Sequence, residues 1–99
     1  MSAMPKSVSS PSYNTACYSV HAPVDPSVMP RVLEVFTRRG LIPSVWHSTL
    51  CGADSEEIQI DVQLADVEPR MAELVAQALR QLVCVGCVMT SEKRRSAAA

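Results

Sequence analysis

No stretch of this 99-residue chain approaches the roughly 18 apolar residues that a bilayer-crossing helix requires. The first residues carry a single Lys among Ser and Pro, without the apolar core of a secretory signal, and Ser2 breaks the N-myristoylation pattern. A soluble, cytoplasmic protein without membrane contact is therefore expected. Basic charge is short as well. The formal net charge is −1, and the nine Lys and Arg are scattered until Lys93-Arg94-Arg95, so no basic face is available for a phosphate backbone. Aromatic residues are rarer still, with one Trp, two Tyr and one Phe. Sheets that bind RNA stack bases on aromatics of their two central strands, and residues 58–64 contain none. No nucleic-acid partner is expected.

Catalytic groupings are also missing. His21 and His47 stand at no metal or nucleophile spacing, and most acids fall in loops or on helix exteriors rather than as paired carboxylates in an apolar setting. The expectation is a non-enzymatic chain needing neither cofactor nor metal. Four cysteines occur, at 17, 51, 84 and 87. Without an export signal, and with three of them inside apolar runs, buried reduced thiols are expected rather than disulfides. Cys84-Val85-Gly86-Cys87 does match C-x-x-C, which can serve metal or redox chemistry. Placed in a strand, residues three apart point to opposite faces, which opposes that use.

What remains is a small globular unit. Hydrophobic residues make up 47% of the chain, and the length suits one domain with a thin core that association would help. Residues 1–14 are rich in Ser and Pro without periodicity, and read as a flexible leader; residues 92–99 read as a flexible tail, leaving 15–91 as the domain. Residues 16–22 form the first expected strand, stopped at Pro23. A turn over residues 24–27 follows, with Ser27 as helix N-cap, because this puts Pro30 at the third helical position, where no amide bond is lost. Met29, Val32, Leu33 and Phe36 form the expected inner stripe, and Gly40 sits where a left-handed C-cap belongs.

Residues 41–50 make the second expected strand, with Pro43 marking its start or an edge. Residues 51–56 close a hairpin. In the third strand Ile58, Ile60, Val62 and Leu64 alternate with Gln59, Asp61 and Gln63, one face core and the other wet. Asp66 then caps a second helix with Pro69 at its third position and the stripe Met71, Leu74, Val75, Ala78, Leu79, Leu82. Residues 83–90 complete the set as strand four. The order β-α-β-β-α-β with right-handed crossovers predicts an α+β, ferredoxin-like sandwich: a four-stranded antiparallel sheet with both helices on one face.

With this order, the run from Val20 to Leu41 resembles the ACT domain. The residues carrying the likeness are Pro26, Arg31-Val32, Phe36 and Arg39-Gly40, then Leu79 and Leu82-Val83; it spans about residues 16–92. The resemblance implies a module of amino-acid metabolism that pairs sheets side by side and often holds an amino-acid effector at the interface. Within the family the chain is similar to the short regulatory subunit of acetohydroxyacid (acetolactate) synthase, isozyme II type. The resemblance places any effector contacts at Val24, Asp25, Ser27, Val28, Ile42 and Pro43. Two positions depart from the effector-binding pattern. Ser27 stands where the family has Gly after Pro, and Ile42 stands where effector-sensitive members place Asn.

The expected function is thus a non-catalytic activating subunit in branched-chain amino-acid synthesis. It would dimerise through strand two and helix one and dock on the thiamine-diphosphate-dependent large subunit. Two alternatives stand beside it: a free-standing sensor whose Val24–Val28 loop and Ile42 region hold a branched-chain amino acid between protomers, and a metal or redox module using Cys84 and Cys87.

Overall fold

The computed structural model describes residues 13–94. Its elements are β1 (Thr15–Pro23), α1 (Val28–Thr37), β2 (Val45–Cys51), β3 (Glu57–Leu64), α2 (Pro69–Arg80) and β4 (Cys87–Lys93). The strands form one antiparallel sheet in the order β2-β3-β1-β4, the expected ferredoxin-like arrangement. Strand alternation divides the two faces. Ala16, Tyr18, Val20 and Ala22 of β1 lie beside Leu64, Val62, Ile60 and Ile58 of β3, all buried under the helices. Cys17, Ser19 and His21, with Gln59, Asp61 and Gln63, stand half-buried on the open face.

Helix α1 starts and stops as its chemistry dictates. Ser27 is the N-cap and Pro30 falls at the third helical position, where its missing amide costs nothing. At the other end Gly40 adopts φ +70°, its amide bonds Thr37 O at 3.0 Å, and Leu41 N reaches back to Phe36 O at 3.0 Å. This paired pattern is the left-handed termination that glycine supports without strain. The buried stripe is Val28, Val32, Val35 and Phe36. It corrects the expected stripe at Met29 and Leu33, which are 37% and 39% exposed. Both sets satisfy helical spacing, and the sheet selects the one whose side chains reach β1 and β3.

Other boundaries also shift. β2 starts at Val45 rather than 41, because Pro43 has no amide for the ladder; Ser44 makes the first bond, N to Gln63 O at 2.8 Å. Trp46 lies opposite Val62, on the helix side of the sheet. α2 starts with Pro69 as its first residue after Glu68, not with Asp66 as cap. Asp66 takes φ +56° and accepts a bond from Tyr13 N at 2.6 Å. Residues 82–85 turn instead of extending, with Val85 N bonded to Leu82 O at 3.1 Å, so β4 begins at Cys87 and runs to Lys93, past the expected boundary at 91. The expected leader falls mainly outside the described residues, as does most of the tail.

Tyr18 and Phe36 join sheet to helices. Their rings meet edge to face at 5.8 Å, and Tyr18 Oη donates to Ala72 O of α2 at 2.8 Å. Burial, with smaller contributions from the Glu73 and Cys17 charges, pushes the Tyr18 phenol up from 10.0 to about 12. A raised pKa means the neutral phenol is favoured on folding, so this contribution is complete below pH 10 and disappears as pH climbs toward 12. Tyr18→Phe should lower stability at pH 7 by about 1 kcal/mol and remove this alkaline loss, as measured by urea unfolding at pH 7, 10 and 11.5.

Candidate functional site

The loop between β1 and α1 is fastened to the hairpin end of the sheet. Val24 N donates to Glu56 O at 2.9 Å, immediately after the Pro23–Glu57 pair. Of the expected effector residues, Val24, Asp25 and Ser27 are exposed here, whereas Val28 is buried in the core and offers no side-chain contact. Ile42, 85% exposed, and half-buried Pro43 precede β2, where Ser44 bonds Gln63. That is the other end of the sheet, about 20 Å away along the seven residues of β2. One protomer therefore cannot bring the two halves of the expected site onto a single small ligand.

The loop also spends its own donors. Asp25 Oδ1 accepts from Ser27 N at 2.9 Å and from Ser27 Oγ at 2.8 Å, and Asp25 O accepts from Val28 N at 3.0 Å. Pro30 has no amide, and Arg31 N bonds Ser27 O at 3.4 Å. An amino-acid carboxylate seeking helix-start amides would find most of them engaged by the chain itself. The Ser27 amide and hydroxyl, aided more weakly by Arg31, hold the Asp25 carboxyl below its usual 3.8.

Along the β2 side lies a feature that the sequence reading missed. Arg31, Val35 and Arg38 of α1 face Ala78, Gln81 and Leu82 across the groove toward α2. At 100° per residue, Met29 and Leu33 fall on the opposite flank of α1, above the β2 edge. Leu50, opposite buried Ile58 and so on the helix side, is 55% exposed because no helix reaches it. Met29, Leu33 and Leu50 thus make an apolar flank beside β2, whose outer edge pairs with no other strand among the described residues. The signal in the sequence was a helix apolar over more of its circumference than a core stripe needs.

The C-x-x-C cysteines do not converge. Cys84 packs against the core from the turn before β4, whereas exposed Cys87 pairs with His21 on the open face. Among the described residues no three His, Cys, Asp or Glu side chains are placed to hold a metal ion. His21 Nε2 meets Ser19 Oγ at 3.2 Å, and Gln59 Nε2 donates to the Asp61 carboxylate at 3.1 Å. These are local bonds along single strands. Among the described residues no helix is long and apolar enough to cross a membrane.

The family model described as ACT-like domain matches residues 10–97. No curated protein matches the chain in sequence. Among solved structures, the chain is similar to the regulatory subunit of aspartate kinase from Thermus flavus, with a TM-score of 0.67 and 16% identity. That likeness covers 81% of this chain and 52% of the other, so the chain spans about half the length of that subunit. It is also similar to the ACT domain of GTP pyrophosphokinase from Chlorobium tepidum, at TM-score 0.64 and 9% identity, covering 80% of this chain and 100% of that one. A third likeness is the C-terminal domain of the MgtC protein from Mycobacterium tuberculosis, at TM-score 0.64 and 14% identity, covering 93% and 100%. At these identities the likenesses speak for the fold.

The turn chemistry is open to direct measurement. A carboxyl titration by NMR should place Asp25 below 3.8, and Ser27→Ala should move it part of the way back up. Because the folded pKa is the lower one, the turn's contribution is present above the ordinary carboxylate range and is lost as pH falls through the folded value.

Proposed function

Because the chain belongs to the ACT-like domain family, we propose that it is a non-catalytic regulatory subunit, specifically the activating small subunit of acetohydroxyacid synthase in branched-chain amino-acid synthesis. The likeness at Pro26, Arg31-Val32, Phe36, Arg39-Gly40, Leu79 and Leu82-Val83 motivates the specific assignment. The observation that carries it is the apolar flank of Met29, Leu33 and Leu50 beside the free edge of β2. An uncovered edge with apolar neighbours invites a second strand, and two-fold pairing of β2 with its copy buries that flank. The resulting dimer docks on the thiamine-diphosphate-dependent large subunit and raises its rate.

The engaged donors of residues 25–31 favour activation without amino-acid feedback. Ser27 in place of Gly and Ile42 in place of Asn remove further contacts that the resemblance assigns to an effector. A second reading has one observation behind it. The two halves of the expected site lie at opposite ends of each protomer, and an antiparallel β2 pair would set residues 24–28 of one copy beside Ile42 of the other. A sensor of valine, leucine or isoleucine would use that junction. Calorimetry separates the two, since heat of binding at micromolar to millimolar ligand belongs to the sensor.

Co-purification with the large subunit from the same source, followed by an acetolactate assay, tests the main proposal. A stable complex with an increased rate is expected; neither association nor stimulation would remove it. Leu33→Glu should weaken self-association about tenfold or more in sedimentation equilibrium, while the circular dichroism of the fold persists. An unaffected dimer would move the interface elsewhere.

A further inference from the structure

We propose that the groove between α2 and the outer edge of β4 takes an extended, basic segment of a partner protein, added to the sheet as a fifth strand. β4 is the terminal strand of the sheet and pairs only with β1 among the described residues. Its residues, Cys87–Lys93, include no proline to interrupt a ladder, so its outward amides and carbonyls can serve as a template. A dimer joined at β2 would leave this edge free at each outer end. The inference needs no particular identity for the catalytic partner.

The adjoining groove decides which segment fits. Val88 packs against the core, but Thr90 and Glu92 on the same face are exposed because α2 does not extend over them. The space left is about 320 Å³, with Ala16, Val67, Ala72 and Ala76 as an apolar lining. Tyr18 closes the floor and directs its hydroxyl inward to Ala72 O, so the floor presents ring rather than donor. Glu73 of α2 and Glu92 of β4 stand on the two sides. The single ion pair among the described residues is Glu34 with Arg38, so within that set neither of these carboxylates has a cation within 4.0 Å. Lys93 sits at an open-face position beside Thr15 and does not line the groove.

A slot with hydrocarbon walls between two carboxylates matches a Lys or Arg side chain, stem against the alanines and head between the acids. An extended segment presents alternate side chains to one face, so its other residues would lie over Met89, which is exposed on the open face. Backbone pairing supplies attachment, and the acids supply selection.

The probe is a short fluorescein-labelled peptide alternating valine and arginine, with a valine–glutamate peptide as its counterpart, each titrated into the full chain. The arginine peptide should bind roughly tenfold or more tightly than the other, and less tightly as salt is raised. The double variant Glu73→Gln, Glu92→Gln should lose that preference while keeping its thermal midpoint. Hydrogen exchange should slow at the outward amides of Cys87–Lys93 and not at Val45–Cys51. Equal binding of both peptides, full binding by the double variant, or protection at β2 instead would overturn the proposal. So would binding that appears only after residues 1–12 are removed, which makes the chain's own leader the occupant. Protection of β4 that rises with the chain's own concentration would assign the edge to a second copy, and equally overturn it.

Discussion

Ile58, Ile60, Val62 and Leu64 press against the helices while Gln59, Asp61 and Gln63 are held off them, and this alternation fixes where every other strand can lie. A one-residue slip of β3 would bury three polar side chains and expose four large apolar ones, so its register has no neighbouring solution. β1 must match it, which sets Val20 beside Ile60 and Tyr18 beside Val62. β2 takes its register from the other side, and β4 takes its register from β1. The helices then have one surface to cover. They cover its middle well and its two margins poorly.

That uneven cover explains what the sequence disclosed and what it hid. β3 and the ends of α1 were legible because their causes are local: strict alternation in one, a proline at the third helical position and a glycine at φ +70° in the other. The beginning of β4 was not. Val83, Cys84 and Val85 read as the apolar start of a strand, yet the chain must turn there before it can meet His21 with Cys87. Asp66 misled for a related reason, since its carboxylate bonds Tyr13 across 53 positions in sequence and no local rule foresees that. The inner stripe of α1 went wrong because Met29 and Leu33 are as apolar as Val28 and Val35. Spacing cannot choose between two apolar faces of one helix. Such ambiguity is itself informative, because a second apolar face with no core to enter is a face for something else.

The candidate effector residues divide along the same physical line. The resemblance placed six positions around an effector at an interface, and within one protomer the sheet separates them by the length of β2. Covalent order brings Ile42 soon after Gly40, but α1 has by then carried the chain back to the opposite end of the sheet. Reuniting the two groups takes a second protomer. Asp25 meanwhile does within the loop what a ligand carboxylate would do from outside, accepting from the Ser27 amide and hydroxyl. A group already satisfied in this way gains little by exchanging partners. The loop is consequently better suited to holding a shape than to reporting a concentration.

Two free edges then carry different chemistry. Beside β2 the surface is apolar, with Met29, Leu33 and Leu50, and a copy of the same chain complements it without any charge to match. Beside β4 the surface is acidic, with Glu73 and Glu92, and a copy would bring like charge against like. Identical backbone templates are thereby set among unlike side chains. Among the described residues the four-stranded sheet hides one face and leaves both margins open. That shape suits the middle of a larger sheet, which is what the two proposals share: a second copy on one side and a foreign strand on the other.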